Sequence, residues 1–341
     1  MTDSLRENTP ATAGSPVDLS TSEGSATALP SLPPVRRRRR KGGWKASLEI
    51  AALSAPAVII FVAFVILPVG MAAYYGFFRW KGFGPPTDWV GLHNYQVILQ
   101  DHDFRQALTH NFQIVFLSLV IQGPVAIAFA LLLNKKMRGQ SIIRVLIFVP
   151  YVISEAVAGI GWSMLLADRG AFNDLMGKIG LHFMKQSWIS DPHIAIWTLM
   201  AILTWKYIGY AVILFLAGLQ GIPEELNEAA SIDGATYWQT QRHIVLPLLG
   251  PTIRIWAFLS IIGALQLFDI VYIIWGQYIT GTAGVSTMAT YMNSNGRVSG
   301  NFGYGSAVAV VMFLISLVIA LIYQRFVLRR DTAGAITDGE G

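Results

Sequence analysis

The sequence contains no cysteine, which excludes disulfides, thiolate metal sites and a cysteine nucleophile and leaves the redox compartment open. Charge is scarce as well. Asp, Glu, Lys and Arg make up 13% of the 341 residues, against roughly 25% in soluble domains. No G-x-x-x-x-G-K-[ST] loop is present, so nothing in the chain should cradle the phosphates of ATP. The H-E-x-x-H and G-x-S-x-G patterns are absent too, which removes the common zinc-hydrolase and serine-hydrolase readings. What the chain has in abundance is apolar side chains, 53% of the total, gathered in runs longer than the about 20 residues a bilayer-crossing helix needs.

Six such runs fall near 48–78, 108–133, 142–167, 194–219, 252–275 and 304–327. None alternates over ten residues as a barrel strand does, and only helices or closed barrels satisfy the backbone inside a bilayer. The expected fold class is therefore an all-α membrane protein with six transmembrane helices. The net charge of +5 is concentrated in "VRRRRRKGGWK" (Val35–Lys45), immediately before the first run. In a soluble protein such a run suggests nucleic acid. Before a span it reads as a cytoplasmic anchor, and its apolar stretch is too long for a secretory signal. Lys135, Arg138, Arg144, Arg242, Arg254 and Arg325 fall on the same side under this topology, so both termini are expected in the cytoplasm. The domains read as a disordered basic tail over 1–47, a membrane domain over 48–328 with a cytoplasmic loop at 220–251, and a cytoplasmic tail over 329–341. Trp80, Trp89, Trp188, Trp197 and Trp275 lie near the outer ends of the runs, where an aromatic belt would place them, and each reads equally as an ordinary loop or packing aromatic.

The loop "EAASIDGATYWQTQRHIVLP" (228–247) is the most informative segment. Pro223 suits a first helical turn, and Glu224 and Glu225 oppose the positive end of its dipole. "PEELNEAAS" should form one short helix, Asp233-Gly234 a turn, and "TYWQTQRHIV" a second helix broken by Leu246-Pro247. Ala229 and Ala230 make a smooth patch beside Glu228 where another protein could approach closely. The bland alternative is an amphipathic hairpin resting on lipid. Against it stands the spacing: Glu228-Ala229-Ala230, three residues, Gly234, nine residues, then Ile244-x-Leu246-Pro247 resembles the EAA loop of ABC-importer permeases.

The resemblance extends over residues 48–328. "WVGLHNYQVILQDHDFRQAL" (89–108), "LIFVPYVISEAVAGIGWSMLL" (146–166), "LAGLQGIPEELNEAASIDGA" (216–235) and "LQLFDIVYII" (265–274) are similar to the binding-protein-dependent carbohydrate permeases of the maltose-transporter type. Within them the chain is similar to the larger of the two permease subunits. That resemblance implies the type I ABC importer permease fold in a bacterial cytoplasmic membrane. It implies a second permease subunit, two ATP-binding-cassette ATPase subunits that hold ATP and Mg, and an extracytoplasmic solute-binding protein. It assigns Glu228, Ala229, Ala230, Asp233, Gly234, Ile244, Leu246 and Pro247 to ATPase coupling, with no catalytic residue, metal or cofactor on this chain and no nucleic-acid partner. The chain departs from many relatives after the fifth run, where "WGQYITGTAGVSTMATYM" (275–292) replaces a Gly-Gly-Pro stretch.

Polar groups within spans are costly and tend to face a cavity or one another. Glu155, Lys206, Gln266 and Asp269 are the notable ones. Gln266 and Asp269, and likewise Tyr207 and Tyr210, are three apart and should share a helix face. Sugars suit such surfaces, because hydroxyls need hydrogen-bond partners while the ring faces stack on aromatics. By resemblance the solute lies between the spans flanking the loop, so Trp205, Tyr207, Tyr210, Ser260, Gln266 and Asp269 are the substrate-pathway candidates. Interhelical packing is the alternative for each, and Lys206 either snorkels or pairs with Glu155. Two rival functions are a permease for another solute, such as glycerol phosphate or a peptide, and an ATPase-independent channel or proton-coupled transporter using Glu155, Lys206 and Asp269 as a relay.

Overall fold

A computed structural model describes residues 44–135 and 137–328. The basic run before Trp44 and the tail 329–341 lie outside the described residues. The chain divides into two units, residues 1–56 and 57–341. Of the first, only the stretch from Trp44 is described, and it is helical.

Among the described residues the only extended pairing is a single bridge between Phe78 and Trp89, and the architecture is otherwise helical. In chain order the helices are α1 (Leu48–Tyr75), α2 (His93–Gln100), α3 (His102–Asn134), α4 (Gln140–Val152), α5 (Glu155–Leu165), α6 (Ala171–Lys178), α7 (Pro192–Gln220), α8 (Glu225–Ile232), α9 (Tyr237–Thr240), α10 (Gly250–Leu265), α11 (Asp269–Thr282, interrupted by a kink at Gly276, φ +71°), α12 (Met288–Met292) and α13 (Phe302–Leu328). By length and composition α1, α3, α7, the stretch Gly250–Gly276 and α13 can each cross a bilayer. Helices α4 and α5 supply a further span if taken as one, bent by 94° at their junction.

Small residues decide how closely the helices approach. Ala126 and Ala130 of α3 and Ala211 of α7 are wholly buried in one apolar cluster with Phe215 and Trp256; such small side chains let helix backbones come together in lipid, where packing rather than water drives association. Gly209 of α7 sits against the backbone of Ile147 and Phe148 in α4, with no room for a Cβ. Asn94, in the "GLHNY" stretch, donates to the carbonyls of Gly76 (2.9 Å) and Phe78 (3.0 Å), fixing the loop after α1.

Two apolar runs are broken, and each break exposes carbonyls that lack intrahelical donors. At the α4–α5 junction Ser154 caps α5 by accepting from the Val157 amide. The α4 end is met by Lys206, 2% exposed, whose ammonium donates to the carbonyls of Pro150 (3.3 Å), Tyr151 (3.4 Å) and Ile153. Glu155 lies 3.6 Å from the same ammonium and accepts a 2.8 Å bond from the Tyr207 hydroxyl. Lys206 is thus paired with Glu155 and does not snorkel. At the α10–α11 junction the amide of Asn111 donates to Ala264 (2.6 Å) and its oxygen accepts from the Met288 amide (2.8 Å). The Thr287 hydroxyl donates to Leu267 (2.7 Å).

Four expectations change. Gln266 and Asp269 share no helix face: Gln266 follows the last residue of α10 and Asp269 opens α11. Trp275 is buried, donating to the Ile189 carbonyl at 2.8 Å, so of its two readings the packing aromatic holds and the belt does not. Pro247 does not break its helix. A wide π turn over Gln241–Val245 precedes it, and the chain stays helical through Leu248, because proline lacks only the N–H that a fresh helical turn leaves unbonded. Of the alanine pair, Ala230 is buried and only Ala229 is presented outward.

Candidate functional site: an intramembrane cavity and an exposed hairpin

A cavity of about 320 Å³ opens among α3, α4, α7 and α10. Its wall includes Tyr151, Tyr207, Tyr210, Trp256, Ser118, Gln122 and Ser260, with Ile114, Met200, Leu203 and Leu259 among the apolar remainder, and no charged side chain lines it. Such a volume lies at the lower end of ligand pockets, and the mixture of aromatic faces with a few convergent polar groups is their usual make-up. Tyr151 and Tyr210 are stacked, with ring centroids 5.2 Å apart and planes 23° apart. Ser118 donates to Gln122 at 2.6 Å and its hydroxyl is 2.8 Å from that of Ser260. Ser118 and Gln122 bound a π turn of α3, immediately ahead of Gly123-Pro124. There the helix is locally wide, a geometry often found at functional sites.

The structure brings three of the six expected pathway residues to this cavity, namely Tyr207, Tyr210 and Ser260. Trp205 instead packs edge-on against Trp162, centroids 5.2 Å apart. Gln266 and Asp269 are exposed at the α10–α11 junction, outside the lining. Ser118, Gln122, Tyr151 and Trp256 were missed. Gln122 was findable by the rule that singled out Gln266, a polar amide inside an apolar run.

The second region is the hairpin between α7 and α10. α8 begins two residues after Pro223, and Gly234 follows it with φ +77°. No heavy atom lies within 4 Å of where its Cβ would stand, so the need for glycine is one of backbone conformation. Thr236 and Gln239 form a capping box that starts α9. Lys135 lies 3.7 Å over the Tyr237 ring, tying the hairpin to the end of α3. Glu228, Ala229, Asp233, Gly234 and Pro247 are exposed, and Ile244 and Leu246 are half-buried. Ile232 (87% exposed) and Trp238 (76%) stand out beside them and were not singled out from sequence. Both are large apolar side chains held outward on an otherwise largely polar hairpin.

At the opposite ends of α3 and α13, the Tyr291 hydroxyl donates to Asp101 (2.8 Å) and meets that of Tyr304 (2.7 Å). Burial, then those two bonds, pushes the Tyr291 phenol well above the ordinary tyrosine range.

Residues 122–332, more than half of the chain, match the family described as binding-protein-dependent transport system inner membrane component. The chain belongs to that family. Among curated relatives, this permease is 34% identical over 272 residues to a probable ABC transporter permease of Pyrococcus horikoshii, PH1215, covering 79% of this chain and 91% of that one. It is 31% identical over 297 residues to the arabinooligosaccharides transport system permease AraP of Bacillus subtilis, covering 85% and 93%. A crystal structure of a bacterial ABC transporter involved in import of the acidic polysaccharide alginate has the same fold, with TM-score 0.73 and 23% identity over 84% of this chain and 96% of that one. The chain is accordingly an ABC-transporter permease subunit embedded in the membrane and not an enzyme; in such importers ATP hydrolysis is on a separate subunit.

Proposed function

We propose that the chain is one of two permease subunits of a bacterial ATP-driven importer for a neutral di- or oligosaccharide. In this reading six spans cross the cytoplasmic membrane with both termini inside, α4 and α5 together making one bent span. The 220–251 hairpin then faces the cytosol, and its outward face (Glu228, Ala229, Ile232, Asp233, Gly234, Trp238) docks on an ATP-binding-cassette subunit, which holds ATP and Mg. Ile244, Leu246 and Pro247 carry the resulting motion into α10. An extracytoplasmic binding protein delivers the solute to the other side.

The observation that carries this reading is the outward presentation of Ile232 and Trp238 beside Gly234 on a hairpin joined directly to two helices of the cavity wall. The aromatic, uncharged cavity supports a neutral sugar over glycerol phosphate, whose anion would want a cation in the wall. Relatives whose names state arabinooligosaccharide and trehalose/maltose transport favour the same class. The proton-relay rival has less support, because Asp269 is exposed and not among the lining residues, and the donors of Lys206 are taken up by carbonyls.

Gly234→Val tests it: a β-branched residue at φ +77° is strained with no steric clash to complicate the result. In the purified importer the variant should retain its helices by circular dichroism while solute-stimulated ATP hydrolysis falls about tenfold or more. Full stimulation would count against coupling through this hairpin.

A further inference from the structure

We propose that Lys206 and Glu155 form a selectivity device behind the cavity wall: Lys206 positions Tyr151 by clasping the α4–α5 break, and Glu155 offsets its charge so that the cavity favours uncharged over acidic saccharides. The proposal rests on the reading above that a saccharide passes through this cavity.

An ammonium carries three donors, and here three carbonyls, of Pro150, Tyr151 and Ile153, receive them. All belong to the last turn of α4 and the residue just past it, where the helix dipole also favours a cation. Glu155 occupies the first turn of α5, where the dipole favours an anion. The two charges are therefore matched to the two helix ends that meet at the break, and the 94° bend brings those ends to one point. Pro150 removes a ladder bond just ahead of it, making that turn easier to bend.

The connection to the solute is direct. Tyr151, whose carbonyl Lys206 holds, stacks on Tyr210 in the wall. Tyr207 lines the same cavity and donates to Glu155. Lys206 itself is absent from the lining, one residue behind it. A cation this close to an apolar cavity would attract acidic solutes unless compensated. The 3.6 Å separation of Glu155 from Lys206 is longer than a charge-assisted hydrogen bond, so the carboxylate balances charge while the carbonyls accept the ammonium's hydrogen bonds.

The test uses the complete importer in nanodiscs without its binding protein, so that only the membrane cavity selects. This chain lacks cysteine, so once the other subunits' cysteines are replaced spin labels can be placed at Ile142→Cys and Met164→Cys, both exposed, one on each limb of the bend. A straight helix would separate these positions by about 33 Å at 1.5 Å per residue. A bent wild type should give a shorter, narrow distance, and Lys206→Met should broaden it and lengthen it by about 5 Å, one helical turn. If Lys206→Met fails to assemble, Lys206→Met with Glu155→Gln removes both charges and carries the same measurement.

Binding is then measured with maltotriose and arabinotriose as neutral probes and trigalacturonate as the acidic one. Glu155→Gln, which leaves the ammonium uncompensated, should raise the acidic-to-neutral affinity ratio by about tenfold; a purely structural role would not move that ratio. An unchanged ratio, or an unchanged distance in the Lys206 variants, overturns the proposal. A wild type that binds none of the three, yet shows the bent distance and its Lys206 dependence, instead refutes the sugar reading and leaves the clasp standing.

Discussion

The break at Ile153–Ser154 and the break at Gln266–Phe268 pose the same problem, carbonyls without intrahelical donors inside an apolar layer, and the chain answers them with different chemistry. The first, bent by 94°, is closed by a charged side chain with a counter-charge on the opposite helix end. The second is closed by neutral groups, Asn111 and Thr287, reaching from outside the broken pair. The difference follows from what must be satisfied. A sharp reorientation leaves several carbonyls converging on one point, and an ammonium is the one side-chain group with three donors at a single atom. At the gentler interruption the carbonyls of Ala264, Leu265 and Leu267 are served by two side chains rather than one atom: the Asn111 amide meets Ala264 and Leu265 while its oxygen receives the Met288 N–H, and the Thr287 hydroxyl meets Leu267. Charge costs more to bury, so it is used where nothing smaller suffices.

That contrast can be broken in order of expected effect. Lys206→Met leaves Glu155 uncompensated and three carbonyls without their donor, and should cost about 3–5 kcal/mol, read as a large drop in the thermal midpoint of the purified importer. Asn111→Leu, at the neutral break, should cost about 2 kcal/mol, because the groups left behind are uncharged. Tyr207→Phe removes one bond to a charged acceptor, worth about 1.5 kcal/mol. Ser260→Ala should change stability by less than about 1 kcal/mol while weakening saccharide binding, since its hydroxyl is in the cavity wall. If Asn111→Leu proved as damaging as Lys206→Met, the distinction between charged and neutral closure would fail.

The spans were legible in sequence because hydropathy over about 20 residues is a strong, averaged signal. Their breaks were harder to read. The Ser154-Glu155 pair carries the signature of a helix start, yet it lies in a continuous apolar run that reads as a single helix, so the bend went unseen. Gln266 and Asp269 misled for the related reason that three-residue spacing implies a shared face only if one helix spans both. Tyr151 and Trp256 sit among other aromatics in apolar runs, and nothing local distinguishes the ones that face a cavity. In the hairpin, helix, turn and glycine were all readable from local chemistry. The roles of Ile232 and Trp238 depend on which way the folded hairpin faces, and no pattern in the sequence states that.

The proposed coupling role of the 220–251 hairpin is where the function is most open to direct test. The most direct measurement is site-specific cross-linking from a single cysteine at Ile232 in native membranes, a design the cysteine-free sequence permits. The account predicts a cross-linked product with an ATP-binding-cassette subunit, whose yield changes when ATP and Mg are added. A hairpin that cross-links to no ATPase, in a chain that purifies intact without one, would contradict it.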